Sequence, residues 1–282
     1  LSLASDLTSQ GAGTLSLSGG VTATGRSVTI GGSSTVNLTS GALSNPSSLI
    51  TQSGGTLTVS NATVTMNSDA SGVFGVGYGA TGTGTVTVGD GGVLNIGTGG
   101  GRTFVGGGPS GGTMGTGILN INGTAQVNVA AAGAFPNDRI YLSGHGGSGT
   151  INLNGGTLTT ARSIQHGSGG GPSIMNFDGG TLRAGANINV ENSLTSANVL
   201  AGGAILDSGS YTINFNEPLL NGGGGGGLTV QGSGTVVLAS GSTYTGATAV
   251  NGGTLALAGG SAIPDAGAVV LATGGCGALW RE

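Results

Sequence analysis

Apolar and polar residues alternate in short runs along most of the 282-residue chain. Val86 and Val88 alternate with Thr85 and Thr87, Leu119 and Ile121 with Asn120 and Asn122, Ile151 and Leu153 with Asn152 and Asn154. Met175 with Phe177, and Ile213 with Phe215, continue the pattern. A period of two places successive side chains on opposite faces of a strand, so each run has one dry and one wet face. Val86, Val88, Leu119, Ile121, Ile151, Leu153, Phe215 and Leu255 are therefore expected in the core. A helical period is nearly absent, and the best helix candidate, 192–201, is short.

The runs recur. Gly-Gly-Thr-Leu begins at Gly54, Gly155, Gly179 and Gly252. A longer unit, Gly-x-Gly followed by an alternating strand and a turn, begins at Gly11, Gly82, Gly115, Gly147 and Gly232. The middle copies start 33 and 32 residues apart, room for two or three short strands and their turns. Turns follow at Asp90-Gly91, Asn122-Gly123, Asn154-Gly155, Asp178-Gly179 and Asn251-Gly252. Asn and Asp tolerate the left-handed region and Gly enters it freely, which makes these dipeptides corners. Asn-Gly also closes hairpins, so antiparallel sheets or a propeller remain the rival to a parallel coil. Short, regular strands poor in aromatics suit a narrow stacked core, and favour the coil. Rungs of roughly 20–25 residues at ~4.8 Å would give about a dozen rungs and a rod of ~60 Å.

Composition narrows the functional classes. Of 282 residues, 66 are Gly and only 6% are charged, with no Lys; the basic residues are Arg26, Arg102, Arg139, Arg162, Arg183 and Arg281. A net charge of −4, thinly spread, is a poor match to nucleic acid or an anionic membrane. The single cysteine, Cys276, excludes an internal disulfide. No apolar run approaches the ~18 residues of a membrane helix. No basic stretch followed by an apolar one opens the chain, so an export signal is expected to have been removed or to lie outside it.

The stretch Leu228–Leu255 reads LTVQGSGTVVLASGSTYTGATAVNGGTL. It resembles the autotransporter-associated β-strand repeat in its Gly-x-Gly strand (Gly232 to Leu238), its Thr-Tyr-Thr-Gly turn (Thr243 to Gly246) and its closing Thr-x-Val and Gly-Thr-Leu (Thr248 to Leu255). Val230 stands where that family usually has Lys, and Ser242 where it has Asn. The segment from Gly202, GGAILDSGSYTINFNEPL, is similar to what often precedes the repeat. The resemblance implies a right-handed parallel β-helix outside the cell, part of a long passenger or filament, with no catalytic residues. The tail from Cys276 through Trp280 to Glu282 departs from the pattern.

Motifs with chemical meaning are weak in so Gly- and Ser-rich a chain. Gly144 to Gly149 matches G-x-G-x-x-G, but a strand pattern follows where a nucleotide site needs a helix. Gly108 to Gly112 matches G-x-S-x-G without strand–turn–helix context, and the only histidines are His145 and His166. The acids Asp6, Asp69, Asp90, Asp138, Asp178, Asp207, Asp265, Glu191, Glu217 and Glu282 are scattered singly, whereas sugar hydrolysis needs a pair across a cleft. His145 and His166 lack the Cys partners of a structural zinc site, and the regular Asp of a calcium-binding β-roll is missing. Sequons stand at Asn37, Asn61 and Asn122. Thr-x-Thr pairs at Thr56/Thr58, Thr63/Thr65, Thr85/Thr87 and Thr157/Thr159 would suit an ice-binding lattice if they stacked; Thr is also a good strand former on a wet face.

The expectation is one elongated all-β domain, a right-handed parallel β-solenoid (β-helix) of Gly-rich strand repeats. Its N-terminal rungs occupy 1–50, a strand-rich array 51–201, the autotransporter-type repeat 202–275 and an atypical tail 276–282. The expected role is a structural or adhesive extracellular or cell-surface component, with a carbohydrate-active β-helix enzyme and an ice- or surface-binding solenoid as alternatives. No residue is assigned a catalytic, cofactor-binding or metal-binding role, and no cofactor is expected. Expected partners are further copies stacked end to end into an oligomer or filament, a continuation of the same chain, or a surface or glycan ligand; nucleic acid and membrane spanning are not expected. Weakly guarded ends, with Asp6 near one and Pro264 and Asp265 near the other, motivate the stacking.

Overall fold

The computed structural model describes residues 1–66, 72–79, 81–97, 102–108, 115–131, 139–169 and 171–272. The tail from 276 onward, most of the G-x-S-x-G stretch, and Asp69, Asp138 and Glu282 lie outside these residues.

Three sheets stack along the molecule, with eleven, nine and eleven strands, the second ending at Leu219–Asn221 while the other two continue. Each sheet takes every third strand of the chain over most of its length, so one rung contributes one strand to each of three faces. The first sheet begins at Leu7–Ser9, the second at Gly13–Leu17 and the third at Val21–Thr22. Every strand pairing between rungs is parallel, as in Thr83–Val88 beside Thr116–Asn122, and that strand beside Ser148–Asn154. The fold is a parallel β-solenoid. The Asn-Gly and Asp-Gly dipeptides are its corners, not hairpin turns.

Inward positions stack in columns. Leu57, Val86, Leu119, Ile151 and Met175 succeed one another along the second sheet, all buried. All eight side chains expected in the core are buried. Fully burying such a side chain contributes ~1.5–3 kcal/mol, here multiplied over a cluster running from Val21 to Ala262.

Rung length varies more than the sequence pattern suggests. Thr87 and Asn120 are rung neighbours 33 residues apart, Asn176 and Asn198 only 22. The 33- and 32-residue spacings of the Gly-x-Gly units are thus single rungs of three strands, longer than the 20–25 expected. Eleven strands at ~4.8 Å give a described length of about 50 Å, below the expected value. Most of the added residues fall between strands, so strand register is conserved across rungs of different length.

The helix candidate 192–201 is a corner followed by strand Ser196–Val199. That strand lies between Ser173–Phe177 and Leu219–Asn221, and its cross-rung hydrogen bonds override a weak local preference. The one helical turn among the described residues is the 3-10 turn Gly144–Gly146.

One core column carries a flaw. Thr51 follows Ile30 and precedes Val76 and Val105 along the inner first sheet. Its buried hydroxyl has no hydrogen-bond partner. Thr51→Val keeps the shape and removes the unmet polar group, so it is expected to raise unfolding stability by about 1 kcal/mol. Urea denaturation checks this; a loss of stability would show that the hydroxyl is satisfied in solution.

Candidate functional surface

The outward face of the second sheet is a hydrogen-bonded ladder. Asn120 donates to Thr87 (3.2 Å), Asn152 to Asn120 (2.8 Å), Asn176 to Asn152 (2.8 Å) and Asn198 to Asn176 (2.9 Å). A shorter ladder on the third sheet links Thr65, Asn95 and Asn128, and one on the first sheet links Asn189 and Asn214. A primary amide has two donors and two acceptor lone pairs. A laddered Asn therefore locks its neighbour and still offers polar groups to a ligand.

The Thr-x-Thr pairs do not form an extended lattice. Thr56/Thr58 and Thr85/Thr87 are neighbours, but Thr35 and Asn37 come before them and Ile118 and Asn120 after. Thr63/Thr65 meet Val93 and Asn95, and Thr157/Thr159 lie between Gln126/Asn128 and Thr181/Arg183.

An aromatic column occupies the outside of the first sheet. Phe104 and Tyr141 share a register position, and their rings stack with centroids 5.3 Å apart. The Tyr78 ring lies over Gly75, one rung earlier in the same column, and meets Phe104 at 5.7 Å. Phe104 is buried although it points outward. Burial pushes the Tyr78 hydroxyl pKa up, with Arg102 opposing.

Most described acids serve as structural acceptors. Asp6 receives the Ser27 amide at 2.9 Å, and Asp178 the Gly202 amide at 2.6 Å. Asp90 receives the backbone N–H and hydroxyl of Thr124 at 2.9 and 3.3 Å. Its carboxylate occupies the space a side chain at Gly123 would need, and Gly123 has φ +58°. Glu191 pairs with Arg139 at 2.6 Å, and Asp207 with Arg183 at 2.8 Å; Asp265 is exposed. Among the described residues no three His, Cys, Asp or Glu side chains cluster as metal ligands would.

The histidines brace neighbouring loops. His166 Nδ1 lies 3.0 Å from the Ser173 hydroxyl and Nε2 2.9 Å from the Gly169 carbonyl; Ser168 Oγ lies 3.2 Å from the His145 ring. The run Gly144 to Gly149 passes from the 3-10 turn directly into strand Ser148–Asn154. Of the sequons, Asn61 is exposed, while Asn37 and Asn122 are half-buried in strands.

Two buried carboxyls are tuned in opposite directions. Burial pushes Asp207 up, but the Gly209 amide, Arg183 and Gln231 outweigh it and hold the group below the ordinary Asp range. Burial lifts Glu217 above the ordinary Glu range, only partly opposed by the Leu194 and Ser193 amides. Asp207 stabilises the fold at neutral pH and loses that contribution as pH falls through its depressed value. A raised carboxyl does the reverse: its contribution is full below the ordinary Glu value of 4.5 and is lost as pH rises through the folded value. Glu217→Gln is therefore expected to match the parent well below pH 4.5 and to exceed it in stability at neutral pH. Thermal melts across that range check it; a difference independent of pH would contradict the assignment.

Arg162 is a feature that sequence reading does not single out. It sits at the corner between strands Thr157–Thr160 and Ile164–His166 and is only 2% exposed. Its guanidinium donates to the Ala130 carbonyl (2.7 Å), the Gly97 carbonyl (3.0 Å) and the Thr103 hydroxyl (3.4 Å). Thr160 Oγ1 receives the Arg162 backbone N–H at 2.9 Å and donates to its carbonyl at 2.8 Å. Gly97, Ala130 and Ala161 directly follow register-matched strands of three successive rungs, so one side chain ties three rungs together.

A parallel β-solenoid with laddered polar columns outside and a continuous apolar core is the class this architecture defines. Within it, residues 228–257 match the family model of the passenger-associated-transport-repeat, so this stretch carries a repeat of that kind. The structure shows what distinguishes the stretch. Between the first-sheet strand Thr235–Leu238 and the third-sheet strand Thr248–Val250 there is no second-sheet strand. The Thr-Tyr-Thr-Gly turn takes its place, and Tyr244 fills the core with its hydroxyl 2.5 Å from Thr248 Oγ1. The turn holds the second-sheet edge through Thr243 N–H to the Leu219 carbonyl (2.8 Å) and Asn221 N–H to Thr243 Oγ1 (3.1 Å). Comparison with curated proteins found no match, and neither did comparison with solved structures.

Proposed function

We propose that this chain is a non-catalytic scaffold segment of a secreted or cell-surface passenger protein, whose flat sides serve adhesion. The passenger-associated repeat supports a surface-associated role, since repeats of this kind belong to exported passengers. The observation that carries the scaffold reading is the rung-to-rung ladder, in which outward amides and most described acids hold successive rungs together. Stability in such a fold is a sum over neighbouring rungs, so length can grow without a new core. The laddered Asn columns and the half-buried Tyr78 and Tyr141, packed on buried Phe104, present amide, hydroxyl and aromatic groups with little charge, a surface suited to neutral glycans.

End-to-end assembly is part of the same proposal. Leu15 shares register with buried Val36 yet is 37% exposed, and Leu271 shares register with buried Val250 yet is 51% exposed. Inward-facing positions of the first strand on the second sheet and of the last strand on the third thus offer apolar surface to a further rung.

Two measurements test the reading. Beads coated with the chain are expected to be retained on glycan- or cell-coated surfaces, and the chain is expected to release no reducing ends from a polysaccharide panel. Sustained release dependent on Glu191 or Asp178 would replace the scaffold with a glycan-cleaving enzyme. For assembly, a stable monomer at tens of micromolar by light scattering would overturn the stacking.

A further inference from the structure

The sequence contains four Asn-Gly pairs, at Asn122, Asn154, Asn221 and Asn251. Gly lacks a Cβ that would crowd approach to the preceding side chain and leaves its own backbone dihedrals open. Its nitrogen can therefore reach the Asn side-chain carbonyl, provided that the N–H is not held and the side chain can turn.

Three of the four pairs are restrained. At Asn122 the Gly123 N–H donates to the Asn154 carbonyl at 2.8 Å, and the side-chain oxygen receives Asn154 Nδ2 at 3.0 Å. That same bond ties down the Asn154 side chain. At Asn221 the Gly222 N–H donates to the Val199 carbonyl at 2.9 Å, and the side-chain oxygen receives the Gly223 N–H at 2.9 Å. Asn251 differs. Its backbone N–H is anchored to the Val230 carbonyl at 2.8 Å and its side chain is exposed. Among the described residues neither that side chain nor the Gly252 N–H takes part in a hydrogen bond.

We propose that Asn251 is a self-modification site, at which the folded protein converts this one Asn to Asp or isoaspartate. The Gly252 nitrogen attacks Asn251 Cγ and forms the new C–N bond. The Cγ–Nδ2 bond breaks, and ammonia leaves carrying the proton released from the Gly252 nitrogen. The resulting succinimide takes up one water at either ring carbonyl and opens to aspartate or isoaspartate. Ammonia is lost and water gained, with no change of oxidation state. The site gains one negative charge on a chain of net charge −4, in the corner joining strand Thr248–Val250 to strand Thr254–Leu257.

The test is a time course of the intact protein at mildly alkaline pH, followed by peptide mapping with mass spectrometry and isoelectric focusing. The Asn251 peptide is expected to convert several-fold faster than those of Asn122, Asn154 and Asn221. In urea the four rates are expected to converge, because the bonds that restrain the other three are gone. Asn251→Ser is expected to abolish the acidic band while leaving the melting temperature unchanged. Conversion at Asn154 or Asn221 ahead of Asn251, or the same ranking in folded and unfolded protein, would overturn the proposal.

Discussion

Arg162→Ala is expected to destabilise the solenoid by about 4 kcal/mol or more. Hydrogen bonds to a charged donor contribute ~1.5–3 kcal/mol each, and a buried carbonyl left without a partner costs ~1–3 kcal/mol. The guanidinium satisfies the Ala130 and Gly97 carbonyls at the ends of their strands. Its removal leaves those carbonyls and a cavity inside one corner of three rungs. Arg162→Lys keeps the charge but presents a point donor in place of a planar fork, so it is expected to recover only part of the loss. Denaturant unfolding measures the total. Hydrogen exchange of the amides in Val93–Ile96, Gln126–Val129 and Thr157–Thr160 locates it, since a stacked fold can open locally. A loss below ~1 kcal/mol would mean that water replaces the guanidinium without penalty.

Tyr244→Ala is expected to cost about 3–5 kcal/mol, the range for truncating a buried aromatic. Tyr244→Phe, which removes only the bond to Thr248, is expected to cost about 1 kcal/mol. The gap between the two separates core filling from hydrogen bonding. The Tyr244 ring is the inward anchor of a rung that has no strand on the second sheet, so its loss should also expose the preceding Leu219–Asn221 edge. Protease nicking confined to 239–247 in the Ala variant, and absent in the Phe variant, would support this. Equal losses for both variants would place the energy in the hydroxyl instead.

The alternation of Val86, Leu119 and Ile151 with polar neighbours made the strands and their facing legible, because burial on a pleated surface imposes a period of two. The corners were legible at Asn122-Gly123 and Asp178-Gly179, where the backbone needs residues that tolerate left-handed dihedrals. Rung length was less so: the Gly-x-Gly spacing marked a rung, but a corner of any length satisfies the strand pattern equally. The Asn192–Leu194 corner read weakly as a helix start, because the partners that make it a corner, Glu217 and the strand Leu219–Asn221, lie about one rung away in the chain. Arg162 could not be found at all. A lone Arg in a polar run reads as exposed, and the carbonyls that hold it are 32 and 65 residues distant. The aromatic column had a faint signal in Phe104-Val105-Gly106 and Tyr141-Leu142-Ser143, which repeat one pattern in adjacent rungs.

The unequal rung lengths have a mechanical consequence. The inter-strand hydrogen bonds lie along the long axis, so tension between the two ends loads the rungs in series and peels them one after another. Each released rung adds slack in proportion to its residue count, at ~3.4 Å per residue. A 22-residue rung therefore yields about 75 Å and a 33-residue rung about 110 Å. Long rungs thus act as stored extension in the middle of the molecule, where Arg162 clamps three rungs against release. Under a pulling load the chain would lengthen in uneven steps, with the short outer rungs giving way before the clamped centre.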